Sequence, residues 1–415
     1  MTTTTAEPVS APRRALSRMG QALRGRDFRI WFAGQLTSAS GALAQGVVLS
    51  WMVYQLTHNA VWLTVLTACT WGPTLLLGPW AGALVDRSDR RRLLMVTQSL
   101  MLLLGLVLAA TTALFGQHLW LLLALATCTG LVATVDSPAR QVFVVDLVGA
   151  GSVASAVGLW EVALNASRVI GPAAAGALLA AGGPALAFAF NALTYLAPLL
   201  ALARLRAPAD RTADRPAAAE RGPRASAREG LAYARRSPIV RGLLPMSAAS
   251  GLIFAMNLTV PPLVDRALDL GPAGYSTLMA AFGLGGLPGA LLAAAAPEPT
   301  PRRVRTLALT TSVAVLATAL APNAWAAVAG MFAVGLTSIW YIASANTLAQ
   351  LRSAPEMRGR VMSLWGSAMT GTLPFTGLAV TFVAQEVGAR TGFAISGGAL
   401  LLTTLAAWRA LRPAV

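Results

Sequence analysis

The sequence contains no lysine, two histidines and two cysteines among 415 residues, and only 12% of its residues are charged. Without lysine there is no phosphate-binding Gly-x-x-x-x-Gly-Lys-Ser/Thr loop, so nucleotide-driven chemistry of that kind is excluded. His58 and His118 sit near the ends of apolar stretches, and neither His-Glu-x-x-His nor Gly-x-Ser-x-Gly occurs. The chain therefore reads as no enzyme, with no metal site and no cofactor. Cys69 and Cys128 fall inside apolar stretches, where they read as small buried apolar groups rather than a disulfide or a metal pair. The stretch before Asp27 holds six charges and no apolar core, so it reads as no cleavable signal; Met19 to Ile30 reads instead as a basic helix lying on the membrane surface.

What is present is apolar. Hydrophobic residues make up 56% of the chain and the mean hydropathy is +0.63. Soluble domains carry about 25% charged residues, so this composition predicts an all-α integral membrane protein. A helix needs ~20 residues to cross a bilayer, and the charge-poor segments give about twelve spans. They are expected near 30–56, 60–85, 93–115, 119–138, 152–181, 184–204, 239–264, 273–296, 305–321, 324–351, 358–385 and 391–411. All arginines except Arg168, Arg266 and Arg390 fall on one side of that topology. The formal charge of +16 is thus a positive-inside signal and not a nucleic-acid footprint. An even number of spans puts both termini in the cytoplasm. Residues 206–237 are rich in Arg, Ala, Pro and acids and read as a cytoplasmic linker between two bundles, 1–205 and 238–415, with a short surface helix from Ser226 to Arg236.

Two long apolar stretches flank a charged knot, Gly82-Ala83-Leu84-Val85-Asp86-Arg87-Ser88-Asp89-Arg90-Arg91-Arg92. Its spacing, Gly-x-x-x-Asp-Arg-x-x-Arg-Arg after the second span, resembles motif A of the major facilitator superfamily. The resemblance implies two six-helix pseudo-repeat bundles working by alternating access. It implies that Gly82 admits a neighbouring helix, that Asp86 accepts bonds from a helix N-terminus or pairs with a cation, and that Arg87, Arg90 and Arg91 hold adjacent helix ends. Asp89 departs from the motif, which commonly has glycine there. The second half keeps only glycines and arginines from Gly285 to Arg305, without the matching acid. Asp136-Ser137-Pro138-Ala139-Arg140 is expected to join spans four and five, as residues 355–360 join ten and eleven. Asp136 with Arg87 or Arg140 reads as a cytoplasmic gate.

A charge deep in a membrane helix is a functional candidate. Glu161, with Asn165 and Arg168 following at i+4 and i+7, lies inside span five and suits a proton or a polar substrate group; an internal structural pair fits it equally. Residues 136–199, with Pro-Ala-Arg-Gln and Arg-Val-Ile-Gly-Pro, resemble exporters of the enterobactin-exporter type. Gly171-Pro172 resembles motif C of drug/proton antiporters and implies a helix kink packed against the other half. The superfamily's spans one, four, seven and ten line its cavity, which here nominates Gln35 and Gln45, Phe254 and Asn257, and Trp340 and Tyr341. Amides and aromatic rings suit a mostly apolar organic solute; helix-to-helix hydrogen bonding fits each position as well. Span four lacks the motif B arginine and span one has no acid, so a proton would use Glu161. The reading at this point is a monomeric exporter of a drug-like or siderophore-like solute in a bacterial cytoplasmic membrane. An importer of the same fold and a non-transporting membrane sensor or scaffold remain open.

Overall fold

A computed structural model describes residues 22–148, 153–205, 223–354, 357–371 and 373–411. Among the described residues the regular structure is helical throughout. Among these residues seven helices are long and apolar enough to cross a membrane, or eight if a pair bent by 47° at Ala255 counts as one span.

After a 3-10 turn, Ala22–Arg24, the first half comprises α1 (Arg26–Thr57), α2 (Val61–Arg87), α3 (Arg90–Phe115), α4 (Leu119–Val148), α5 (Val153–Thr194) and α6 (Leu196–Arg204). α5 is broken at Gly182 and Gly183, whose dihedrals are not helical. Next come α7 (Pro223–Arg236), α8 (Pro238–Phe254), α9 (Met256–Pro262) with a π turn (Leu263–Leu268), α10 (Gly271–Ala295), α11 (Pro301–Ala319), α12 (Ala324–Leu351), α13 (Arg358–Gly371), α14 (Leu373–Glu386) and α15 (Ala389–Ala406).

Local chemistry sets several starts. Asp89 caps α3 by accepting from Arg92 N at 2.9 Å, Thr300 caps α11, and Asn323 caps α12. Within the spans, threonine hydroxyls donate to the carbonyl one turn back, as Thr67 does to Leu63 and Thr127 to Leu123. Each such bond satisfies a hydroxyl donor that hydrocarbon could not. Glycine sets the closest crossing: a Cβ on Gly285 would strike the Phe332 carbonyl, and one on Gly335 the Phe282 carbonyl, so α10 and α12 touch backbone to backbone.

Three sequence expectations need correcting. Residues 136–140 are not a loop, because α4 continues through Pro138 to Val148; the polar residues there find partners inside the protein, which outweighs the ~3 kcal/mol helix penalty of proline. Arg26 to Ile30 belong to the start of α1 rather than to a surface helix. α5 runs through Gly171-Pro172, and non-helical dihedrals occur at the two glycines eleven residues on. Cys128 is exposed on α4 rather than buried, as a lipid-facing residue can be, and Cys69 is half-buried. The linker helix is present as α7: Tyr233 Oη accepts from Ala354 N at 2.9 Å and Glu229 pairs with Arg360.

Candidate functional site

The arginine-bearing end of the first half is held by the knot. Arg90 pairs with Asp146 near the end of α4, and Arg91 donates to the Leu202 and Ala203 carbonyls, at 2.9 and 3.2 Å, in the last turn of α6. Both are cations at helix C-termini, where the dipole favours them. Arg87 is exposed. Asp89, the departure from the motif, does the capping work described above. The side chains of Asp86, Glu161 and Asn165 lie outside the described residues.

Just inside that end lies a buried ionic network. The Asp136 carboxylate, 1% exposed, accepts from Thr97 Oγ1 and Gln98 Nε2, both at 2.7 Å, and from Arg140 Nη2 at 2.8 Å. Arg140 Nη1 then donates to Gln35 Oε1 at 3.1 Å, and its guanidinium lies 5.8 Å from the Trp160 ring centroid. Arg140, one turn along the same helix, is thus the partner of Asp136. One charge pair joins α1, α3, α4 and α5. A carboxylate this buried holds its charge only when its lone pairs are satisfied, and three donors do that. Gln98 Oε1 remains buried without a partner.

The other cavity candidates divide. Gln45 accepts from Asn191 Nδ2 at 2.6 Å, joining α1 to α5. Tyr341 is fully buried, with its hydroxyl 3.4 Å from Ser250 Oγ and from the Met246 carbonyl. Trp340, its neighbour, turns the other way and lies under Arg303. Asn257 is half-buried in the first turn of α9.

Arg168 marks the crossing of the two halves. Its guanidinium lies 5.3 Å from the centroid of the Phe254 ring on α8, and its carbonyl faces Gly283 of α10, where a Cβ would not fit. Gly176 likewise faces Ser276 of α10, while Gly171 packs on Ser40 and Leu43 of α1. Close approaches to α10 thus come from Arg168 and Gly176, while Gly171 packs on α1.

At the end opposite the arginines, helices of the N-terminal part of the chain meet helices of the C-terminal part. Thr64 and Thr381 hydroxyls meet at 2.8 Å, Gln55 Nε2 donates to Asp265 Oδ1 at 3.2 Å, and Ala60 N donates to Gln385 Oε1 at 3.2 Å. Arg266 donates to the His58 carbonyl, and Trp51 stacks on Tyr275 at 5.8 Å. The arginine end of α2 differs: Gly78 and Gly82 have no atom within 4 Å of where a Cβ would stand. Gly82, which the motif expects against a neighbouring helix, has open space at that position.

Comparison with known proteins decides the family. The sequence matches the transmembrane secretion effector family, a branch of the major facilitator superfamily, over residues 21–415. The chain belongs to that family. Among its relatives, the staphyloferrin A transporter of Staphylococcus aureus is 35% identical over 153 residues, 37% of this chain and 38% of that one. The multidrug efflux pump Tap of Mycolicibacterium fortuitum is 27% identical over 399 residues, 92% of this chain and 95% of the pump. A crystal structure of a bacterial homologue of the human lysosomal transporter Spinster, inward-facing and occupied, superposes with a TM-score of 0.68 at 15% identity, covering 97% of each chain. The family is one of membrane transporters, not enzymes.

The sequence missed Gln98, Asp146, Gln55 and Asp265. Asp265-Arg266 carried a signal, since it is a charged pair within an apolar segment away from the arginine side. Gln98 carried a weaker one, an amide in a span otherwise free of strong polarity.

Proposed function

We propose that this chain exports a drug-like or siderophore-like organic solute across the bacterial cytoplasmic membrane by alternating access, with protons as the coupling ion. Its twelve spans form two six-helix bundles, 1–205 and 238–415, joined by 206–237, with both termini in the cytoplasm. The observation that carries this reading is the asymmetry between the ends: five contacts link the halves at one end, while the glycine face of α2 stands open at the other. A rocking motion about the Arg168–Gly283 crossing would exchange these. The knot then has a purpose, since Gly82 would be covered and the Asp86 region seated only when the arginine end closes. The names of the relatives, a staphyloferrin A transporter and a multidrug efflux pump, support an organic solute and its export.

Glu161 is the proposed proton carrier, two turns from Arg168, which stands at the crossing of α5 and α10. The test is accumulation of fluorescent cationic and neutral drugs, and of a catecholate and a carboxylate siderophore, in cells with and without a protonophore. Wild-type cells are expected to hold several-fold less of at least one compound than empty-vector cells. The protonophore and Glu161→Gln should each erase that difference. Accumulation equal to empty vector across the panel would remove the export reading; loss with protonophore but not with Glu161→Gln would move the proton to another residue.

A further inference from the structure

The short helix α7 is seated on one place in the second half. It turns directly into α8 at Ser237, whose N–H donates to the Tyr233 carbonyl at 3.0 Å. Tyr233 Oη accepts from Ala354 N at 2.9 Å, just past the end of α12, and Glu229 pairs with Arg360 in the first turn of α13. Ala234 is buried in one cluster with Val240 of α8 and Val361 of α13.

What α7 grips is the start of an arm. α14 runs along α2 towards the end opposite the arginines: Gly377 faces Leu258 and Thr64, Thr381 meets Thr64, and Gln385 accepts from Ala60 N. α13, which precedes it, extends that path back towards the arginine end, level with the open space at Gly78 and Gly82 of α2. Further along, α13 is tied to α8, where Ser247 Oγ donates to the Trp365 carbonyl at 3.1 Å and a Cβ on Gly251 would strike the Met369 carbonyl. α13 stops at Gly371 and α14 starts at Leu373, with Pro374 next. Glycine and proline are poor helix formers, so this is the weakest point of the path.

The seat is small and partly wet. The Glu229 and Arg360 side chains are 46% and 25% exposed, so their attraction is screened by solvent. The buried apolar part is one alanine and two valines. Such a seat opens and recloses locally rather than locking.

We propose that α7 is a brace that holds the arm α13 on the second half, off the glycine face of α2, and that releasing the brace lets α13 close on α2. The proposal rests on the alternating-access reading above and adds to it a control built into the segment between the bundles.

Hydrogen exchange and spin-label distances, measured on the full chain in nanodiscs, test it. Tyr233→Phe with Glu229→Gln should speed exchange of the Ala354 amide about fivefold, since that amide loses its acceptor. With labels at Arg87 and Ser367, both exposed, the same variant should raise the share of short distances between α2 and α13 about threefold. Glu229→Arg should raise it too, and adding Arg360→Glu should return it to the wild-type value. Arg235→Gln, exposed on the same helix, should change neither readout. Faster exchange with an unaltered distance distribution would overturn the brace, as would an Arg235→Gln shift equal to that of the double variant. Failure of the underlying reading looks different: the wild type itself would hold one distance at each end of the molecule at pH 5 and pH 8 alike, and that result would remove the brace together with alternation.

Discussion

Asp136→Asn is expected to abolish transport and to lower the thermal midpoint of the purified protein by roughly 5–10 °C. The loss follows from what remains. Arg140 would keep its charge beside Gln35 and Trp160 with no carboxylate to balance it, and removing one partner of a buried pair costs about 3–5 kcal/mol. Asparagine also offers an N–H₂ that Thr97 and Gln98, both oriented as donors, cannot accept without turning. Pairing Asp136→Asn with Arg140→Gln removes both charges. That double variant should regain most of the thermal stability and none of the transport, because the tie between α1, α3 and α4 would be neutral and weaker. A midpoint shift of under 2 °C for the single variant would show that the pair is not what holds these helices together. Recovery of transport in the double variant would reduce the network to a structural role.

The second large effect concerns the end opposite the arginines. With Cys69 and Cys128 replaced by alanine, Thr64→Cys with Thr381→Cys should form a disulfide on mild oxidation, stop transport, and release it on reduction. The two hydroxyls meet at 2.8 Å across the halves, and a disulfide asks for Cβ atoms about 3.5–4.5 Å apart. If this end must open for solute to leave, a covalent bond there is a complete block. Undiminished transport in a fully cross-linked sample would mean that α2 and α14 never part. Each single cysteine variant should transport normally, since losing one threonine hydrogen bond costs only about 1 kcal/mol.

Much of this was legible before the fold was known. Several helix ends followed from charge, as at Arg87 and Arg90, because an uncompensated charge is costly in hydrocarbon; the fourth helix instead runs ten residues past its expected end, to Val148. The spacing of the knot gave Arg90 and Arg91 their helix-end partners in outline, though not Asp146, which looked like any acid in a terminal turn. Residues 136–140 misled because Asp, Ser and Pro favour turns by local preference; only the side chains of Thr97, Gln98 and Gln35, far away in sequence, make a helix the better state for them. Trp340 and Tyr341 misled as a pair, since neighbours on a helix point about 100° apart. Gly82 misled for another reason. No atom stands within 4 Å of where its Cβ would be, and a motif carries no information on which neighbour is present.

Alternation between the two ends is the centre of the account, and paired distances test it most directly. Spin labels would be placed at Arg87 and Arg352 for the arginine end, and in a separate sample at Leu56 and Val387 for the opposite end, all exposed positions. Distance distributions by pulsed electron resonance in nanodiscs would be compared at pH 5 and pH 8. The expected result is two populations in each sample, shifting in opposite senses with pH, so that the arginine end shortens as the other lengthens. One fixed distance at both ends under both conditions would contradict alternating access for this chain.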